Sequence, residues 1–154
     1  MATYDNDLRL KEITTGQESG TWGTSTNTNL SLIAEALGYG TEAVFDSDAN
    51  KTTTVADAAT DPARSMYYKV TSSATLSATR ELTIAPNSIS RVMWIENATT
   101  GSQTITIKQG SGATVDINTG KTKIVYLDGA GSGAAVVDAL SLVDTSGSIG
   151  LDST

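Results

Sequence analysis

Thr21-Trp22-Gly23-Thr24-Ser25-Thr26-Asn27-Thr28-Asn29-Leu30-Ser31-Leu32-Ile33-Ala34-Glu35-Ala36-Leu37-Gly38-Tyr39 carries the one convincing helical signal in this sequence, and its isolation makes the remainder read as short strands and turns. The Thr26–Asn29 cluster predicts a helix start, because a side-chain oxygen there can accept from the free N–H groups of a first turn. Gly38 predicts the stop, since glycine takes the left-handed conformation that closes a helix at no steric cost. Between them Leu30, Ile33, Ala34 and Leu37 fall at i, i+3, i+4 and i+7. Leu32 and Ala36 are apolar as well, so only Ser31 and Glu35 interrupt the surface. A helix apolar on nearly every side buries more than one face. At about ten residues it needs tertiary packing to persist. Trp22, set between Gly20 and Gly23, is expected to wedge the turn leading into it.

Downstream, Thr41–Phe45, Lys51–Val55, Ser65–Val70, Arg80–Ile84, Thr104–Lys108, Thr114–Ile117 and Lys123–Leu127 read as strands, and Ala134–Leu140 as a last strand or short helix. Ser90–Glu96 is apolar on both faces (Val92, Met93, Trp94, Ile95), which places it centrally in a sheet. Turn residues recur between these runs at short intervals. The expected fold is therefore mainly β, an antiparallel β-sandwich or jelly roll with one short N-terminal helix. Upstream, residues 1–20 are polar except for Leu8, Leu10 and Ile13 and read as an extended N-terminal arm. Leu8 and Leu10 share a face if that arm is extended. The division expected is arm 1–20, helix plus β domain 21–140, and a polar tail 141–154 with isolated Leu142, Val143, Ile149 and Leu151. No internal repeat is visible.

With 154 residues, one domain is expected, large enough to bury a core without covalent staples. Cysteine and histidine are both absent, which removes disulfides, thiolate chemistry and the commonest catalytic base. Acidic residues outnumber basic ones 17 to 10, for a net charge of −7, which disfavours nucleic acid and anionic membranes as partners. No apolar run has the length of a membrane span, and the polar N-terminus is not a signal peptide. Thr and Ser make up about a quarter of the chain, which suits strands with hydroxyl-rich faces.

The short motifs read as turns. Gly129-Ala130-Gly131-Ser132-Gly133-Ala134 has the shape of a dinucleotide fingerprint, but too little chain follows it for a second βα unit, so a hairpin turn is expected. Gly120-Lys121-Thr122 ends like a P-loop, but Val115 stands where the first glycine belongs. Asp46, Asp48, Asn50 and Asp57 have the spacing of a calcium loop, yet Lys51 replaces its turn glycine and flanking helices are missing, so a solvated acidic turn is expected. Asn50-Lys51-Thr52 and Asn97-Ala98-Thr99 match the glycosylation triplet only formally. The carboxylates are scattered through turns, and no pair stands out for acid–base work. No enzyme, cofactor or metal is expected.

Trp22-Gly23-Thr24, then Thr26-Asn27-Thr28-Asn29-Leu30 and the Leu32-Ile33-Ala34-Glu35-Ala36 helix, resemble a module near the N-termini of bacteriophage tail-fibre and related virion structural proteins, above all those of marine and freshwater phages. The resemblance extends through Arg9–Ile13, Glu96–Thr99 and Asp128–Ala139, and so from Leu8 to Leu140. It implies a non-enzymatic virion component, located in the phage particle and assembled in the host cytoplasm. The partners it implies are the chain itself, as a homotrimer, and other virion proteins, through an interface of Leu8, Leu10, Ile13, Trp22, Leu30, Leu32, Ile33 and Leu37. A tail or fibre attachment adaptor is the first expectation. The fibre relatives continue into long C-terminal regions whereas this sequence stops at Thr154, which raises the alternative of a capsid decoration protein. A carbohydrate-binding module for host glycans is a third, resting on the supply of Thr, Asn and Tyr.

Overall fold

The computed structural model describes residues 2–141, so the tail expected at 141–154, with Leu142, Val143, Ile149 and Leu151, lies outside the described residues apart from Ser141. The protein is mainly β with one helix. Helix α1 spans Trp22–Ala36, followed by β1 (Tyr39–Phe45), β2 (Lys51–Thr54), β3 (Tyr67–Ser72), β4 (Arg80–Ala85), β5 (Ser90–Asn97), β6 (Ile105–Lys108), β7 (Val115–Ile117), β8 (Thr122–Asp128) and β9 (Val136–Asp138). Short 3₁₀ turns fall at Pro62–Arg64 and Gly131–Gly133.

The strands form a five-stranded sheet ordered β1-β3-β5-β8-β9 and a four-stranded sheet ordered β2-β4-β6-β7. The wholly antiparallel pairing expected of a jelly roll or antiparallel sandwich is corrected here. β1–β3, β3–β5, β2–β4 and β4–β6 run parallel, and only β5–β8, β6–β7 and β8–β9 are antiparallel. The physical reason lies in the connections. Parallel neighbours cannot be joined by a tight hairpin and need a crossover of a dozen residues or more. Here the crossover from β1 to β3 is made by β2 in the other sheet, and that from β3 to β5 by β4. Each circuit of chain forms a coil that gives one strand to each sheet. After three coils β7 turns back beside β6, and β8 and β9 close the larger sheet.

Inward residues from both sheets meet in one core. Phe45, Tyr68, Val70, Leu82, Ile84, Met93, Ile95, Ile105, Ile107, Ile117, Val125 and Val136 are all fully buried. Strict alternation produces this: β4 buries Leu82 and Ile84, β6 Ile105 and Ile107, and β8 Val125 and Leu127. Two buried amides close the coil ends. Asn97 Nδ2 donates to the Gln103 and Ile117 carbonyls at 2.9 Å each, and its Oδ1 accepts from the Thr99 hydroxyl at 2.7 Å. Gln109 Nε2 donates to the Ile89 carbonyl at 2.8 Å while its Oε1 accepts from Gly129 N at 3.2 Å. Gly101 makes one of these turns possible. Its φ is +104°, and a Cβ there would sit 2.0 Å from the Leu76 carbonyl oxygen.

Helix α1 starts earlier than Thr26 and makes no side-chain cap bond at Thr21. The polar cluster read as a cap is used elsewhere. Asn29 exchanges two hydrogen bonds with the backbone of Lys11, at 3.0 and 2.9 Å, and Ser25 donates to Glu18. The helix ends at Ala36, two residues before Gly38, whose N–H reaches the Glu35 carbonyl at 2.9 Å. Gly38 is not among the residues with positive φ, so the expected left-handed closure is absent.

Candidate interaction surface

The outer face of the five-stranded sheet follows from the same alternation that builds the core. Pairing sets Tyr39 beside Tyr67, Tyr67 beside Trp94, and Trp94 beside Ile124, one row across four strands. The next row on this face aligns Val92, Tyr126 and Val137. The Tyr39 and Tyr67 rings stack with centroids 5.7 Å apart. Tyr39 and Val92 are more than half exposed, and Trp94 and Met66 about 40%. Leu37, Gly38, Met66, Tyr67 and Trp94 enclose an open, almost wholly apolar dent of about 380 Å³. A polar border runs alongside. Lys69 pairs with Glu96 at 3.1 Å, and the Tyr67 hydroxyl donates to Glu96 at 2.9 Å. The Glu96 carboxylate holds the Lys69 ammonium above its ordinary pKa.

The residues expected from sequence to form an interface separate into three groups. Trp22, Leu30, Ile33 and Leu37 are exposed, at 64, 58, 38 and 68%. Trp22 therefore does not wedge a turn, and the helix does not bury its surface on several sides. Leu32 is the exception, buried at 2% within its own protomer together with Ala36, so it belongs to the interior and not to a contact surface. Leu8 and Leu10 are half-buried and Ile13 is exposed. Leu37 is the expected residue that joins the sheet face, at the dent. Tyr39, Met66, Val92 and Trp94 were not expected on this surface. The available signal was Val92-Met93-Trp94-Ile95, apolar on both faces. It does mark the central strand of its sheet, but one of those faces is uncovered.

The arm is not extended. Thr3 pairs with Glu12 as an antiparallel bridge, and Arg9 N reaches back to the Asn6 carbonyl at 2.9 Å. It is also bound to its own body. Arg9 Nε meets Asp57 at 2.8 Å, Ala58 N donates to the Arg9 carbonyl at 2.9 Å, and Ser90 N donates to Asp7 at 2.7 Å. The centre of this attachment is Arg64, wholly buried in the 3₁₀ turn after Asp61. Its guanidinium donates to the carbonyls of Leu8, Ala56 and Ala59 and to the Glu35 carboxylate of α1, the last at 3.2 Å. A planar, always-charged fork suits several fixed acceptors at once. Arg91 lies close by and donates to the Arg64 carbonyl, but its Nε and Nη1 are buried without a protein partner. Burial, and then the charge of Arg64, lower the Arg91 pKa to about 10.

The oxygen atoms of the calcium-like loop are engaged by protein groups. Asp46 pairs with Lys51, Asp48 with Arg80 at 2.8 Å and with Ser77, and Asp57 with Arg9, while Asn50 Oδ1 accepts from Glu81 N at 2.9 Å. Among the described residues no group of three or more acidic side chains could hold a metal. The glycine-rich motif is a turn between antiparallel β8 and β9, with Asp128 Oδ1 accepting from Ala130 N and Ala135 N at 3.0 and 2.9 Å. Among the described residues no helix is long and apolar enough to cross a membrane. Comparison with protein-family models, curated proteins and solved structures finds no match to this chain.

Proposed function

We propose that this chain is a non-enzymatic structural protein of a phage particle, a self-associating attachment module of the tail or fibre that works by shape and buried area. The observation that carries the self-association is the apolar outer face of the five-stranded sheet, continued through Leu37 onto the exposed side of α1. Soluble monomers rarely leave more than about 300–600 Å² of contiguous apolar surface uncovered. Trp94, Tyr39, Met66, Val92 and Leu37 are all exposed on or beside this face, at 40–68%. The border of Lys69, Glu96 and Thr122 supplies the polar rim of a protein contact. The virion context rests on the resemblance carried by the Trp22–Ala36 stretch. The rigid two-sheet body supplies a fixed frame for such a contact, and a net charge of −7 directs it toward protein rather than nucleic acid. The decoration-protein alternative asks the arm to clamp shell subunits, and this arm is bound to its own body. A glycan platform has less support, because Tyr39 and Tyr67 stack on each other and the dent beside them is apolar.

Sedimentation velocity of the purified protein at micromolar concentration tests the association, with Trp94→Asp beside it. An oligomer for the natural sequence and a folded monomer for Trp94→Asp is the expected result, since a charge in an apolar contact is expensive and Trp94 points away from the core. A wild-type monomer across the micromolar range refutes it. Labelled antibody fragments on intact particles test the location: decoration of the tail is expected, and decoration of the head shell favours the alternative.

A further inference from the structure

We propose that β1 is the seam of the assembly: a second copy of this chain pairs its own β1 antiparallel to this one about a twofold axis at Thr41, fusing two five-stranded sheets into one. The proposal rests on the self-association reading and names where the copies join. It also replaces the threefold arrangement implied by the resemblance with a twofold one.

Strand β1 is the outer strand of its sheet, with β3 on one side. The Gly38 carbonyl accepts from Tyr67 N, so in the alternation of a parallel pair the even positions Gly40 and Glu42 turn their peptide groups toward β3. The amides and carbonyls of Tyr39 and Thr41, and the amide of Ala43, then point to the free side, just before the register with β3 shifts between Glu42 and Phe45. Exposed edges are guarded by charge, proline or a bulge, and the charged guard is the one β1 lacks ahead of its register shift between Glu42 and Phe45. The other edge strands have such a guard: β2 begins at Lys51, β7 carries Asp116, and β9 ends in Asp138. In β1 the one charged residue, Glu42, is turned inside, where it accepts from Tyr68 and from Thr53 at 2.9 Å. The outward side chains Tyr39, Thr41 and Ala43 are neutral. A groove of about 250 Å³, lined by Glu35, Tyr39, Thr41, Thr60, Asp61 and Pro62, lies beside the start of this edge.

The sequence of this edge is complementary to itself. With Thr41 on the axis, Tyr39 faces the partner's Ala43, large against small, and Gly40 faces the partner's Glu42. No like charges meet, and Thr41 falls in a hydrogen-bonded pair with its own copy, with Tyr39 and the Ala43 amide at the next such pair along the strand. In this register the Tyr39–Tyr67–Trp94–Ile124 row ends against the partner's Ala43, and the partner's own row lies four residues along the seam on the same face. A second copy satisfies both the bare edge and this register. An extended segment of a different protein satisfies only the first.

Two variants touch the seam and spare the fold. Thr41→Pro removes an outward donor that β3 does not use, and proline is tolerated on edges. Ala43→Lys installs the missing guard on an exposed position. Sedimentation velocity from low to high micromolar concentration, with amide hydrogen exchange of Tyr39, Thr41 and Ala43, reads the outcome. Expected are a twofold dimer for the natural sequence, slowed exchange of those amides as concentration rises, at least about tenfold weaker association in each variant, and unchanged melting temperatures in dilute solution. If the natural sequence associates but both variants do so as tightly, or those amides exchange freely in the oligomer, the seam is wrong and self-association through the sheet face stands. If the natural sequence is monomeric throughout, both proposals fall. Protection appearing only on addition of a different protein's extended peptide would likewise overturn the second-copy assignment.

Discussion

Arg64 joins three parts of the chain that are distant in sequence: the arm at Leu8, the loop at Ala56 and Ala59, and the helix at Glu35. Truncating it leaves three carbonyls and a carboxylate without their donor, and removing one side of a buried charge pair costs about 3–5 kcal/mol. Arg64→Ala should lower the urea midpoint accordingly and make the arm more sensitive to protease. Arg64→Lys should rescue little, since an ammonium cannot reach four acceptors set around a plane. Its neighbour should behave oppositely. Arg91 is a partly buried cation with two unpartnered nitrogens and a pKa lowered to about 10. A base with a depressed folded pKa carries a penalty at neutral pH that is relieved as pH rises through the folded value. Arg91→Met should therefore raise the melting temperature near pH 7, and the gain should shrink as pH rises toward 11. Neither arginine stood out in the sequence, because nothing local to Pro62-Ala63-Arg64 reveals that its acceptors lie at residues 8, 35, 56 and 59. Asn97 was noticed as part of a glycosylation triplet and of the Glu96–Thr99 stretch of the resemblance, neither of which points to the interior. It is buried instead, closing a coil end.

At the scale of elements, the helix was legible and its exposure was not. Periodicity located the body of α1 but not its start at Trp22, and the glycine at 38 marked its end to within two residues. It could not say which apolar residues meet the body, because nearly all positions were apolar. The distinction is testable. Leu32→Ala should cost about 2–5 kcal/mol, as for other buried large-to-small changes. Ile33→Asp should leave the monomer's stability nearly unchanged and weaken association. Leu32→Asp should unfold the protomer rather than dissociate an oligomer. The arm looked extended because hydrogen bonds such as Asn29 to Lys11 are invisible in a linear reading. Its carboxylates make it pH-sensitive. Glu12 is held below its ordinary value of 4.5 by hydrogen bonds from Asn6 and Thr3, and Glu18 by Lys11 and then Ser25. Groups with depressed folded values contribute stability that is full above their unfolded pKa and lost as pH falls through the folded one. The arm should therefore loosen below about pH 4 before the β body melts, with faster amide exchange at Glu12 and Lys11 than at Ile95 as the measurement.

For the whole molecule, strand positions were readable nearly residue by residue, because alternation such as Ile105-Thr106-Ile107 survives in any sheet. Strand direction was not readable. Asp46–Asn50 and Pro86–Asn87 mark where the chain bends, but a bend that starts a hairpin and one that crosses to an opposite sheet use the same residues. The loop at Asp46–Asp57 also belongs at this scale, since its carboxylates tie distant segments together: Asp48 reaches Arg80 in the next coil, and Asp57 reaches Arg9 in the arm. EDTA should therefore leave the melting temperature unchanged, and excess calcium should not raise it by the linkage expected of a ligand bound only to the folded state. The circuit of chain through both sheets has a consequence for how such a protein can vary. Trp94 stands beside Tyr67 as Tyr67 stands beside Tyr39, and Ile107 beside Leu82 as Leu82 stands beside Lys51. Excising Tyr67 through Met93 would bring Trp94 onto Tyr39 and Ile107 onto Lys51, with every inward residue still facing inward. Length along the stack is thus a quantity that heredity can alter in whole steps, shortening or extending the body by one storey while leaving its first and last strands as they were.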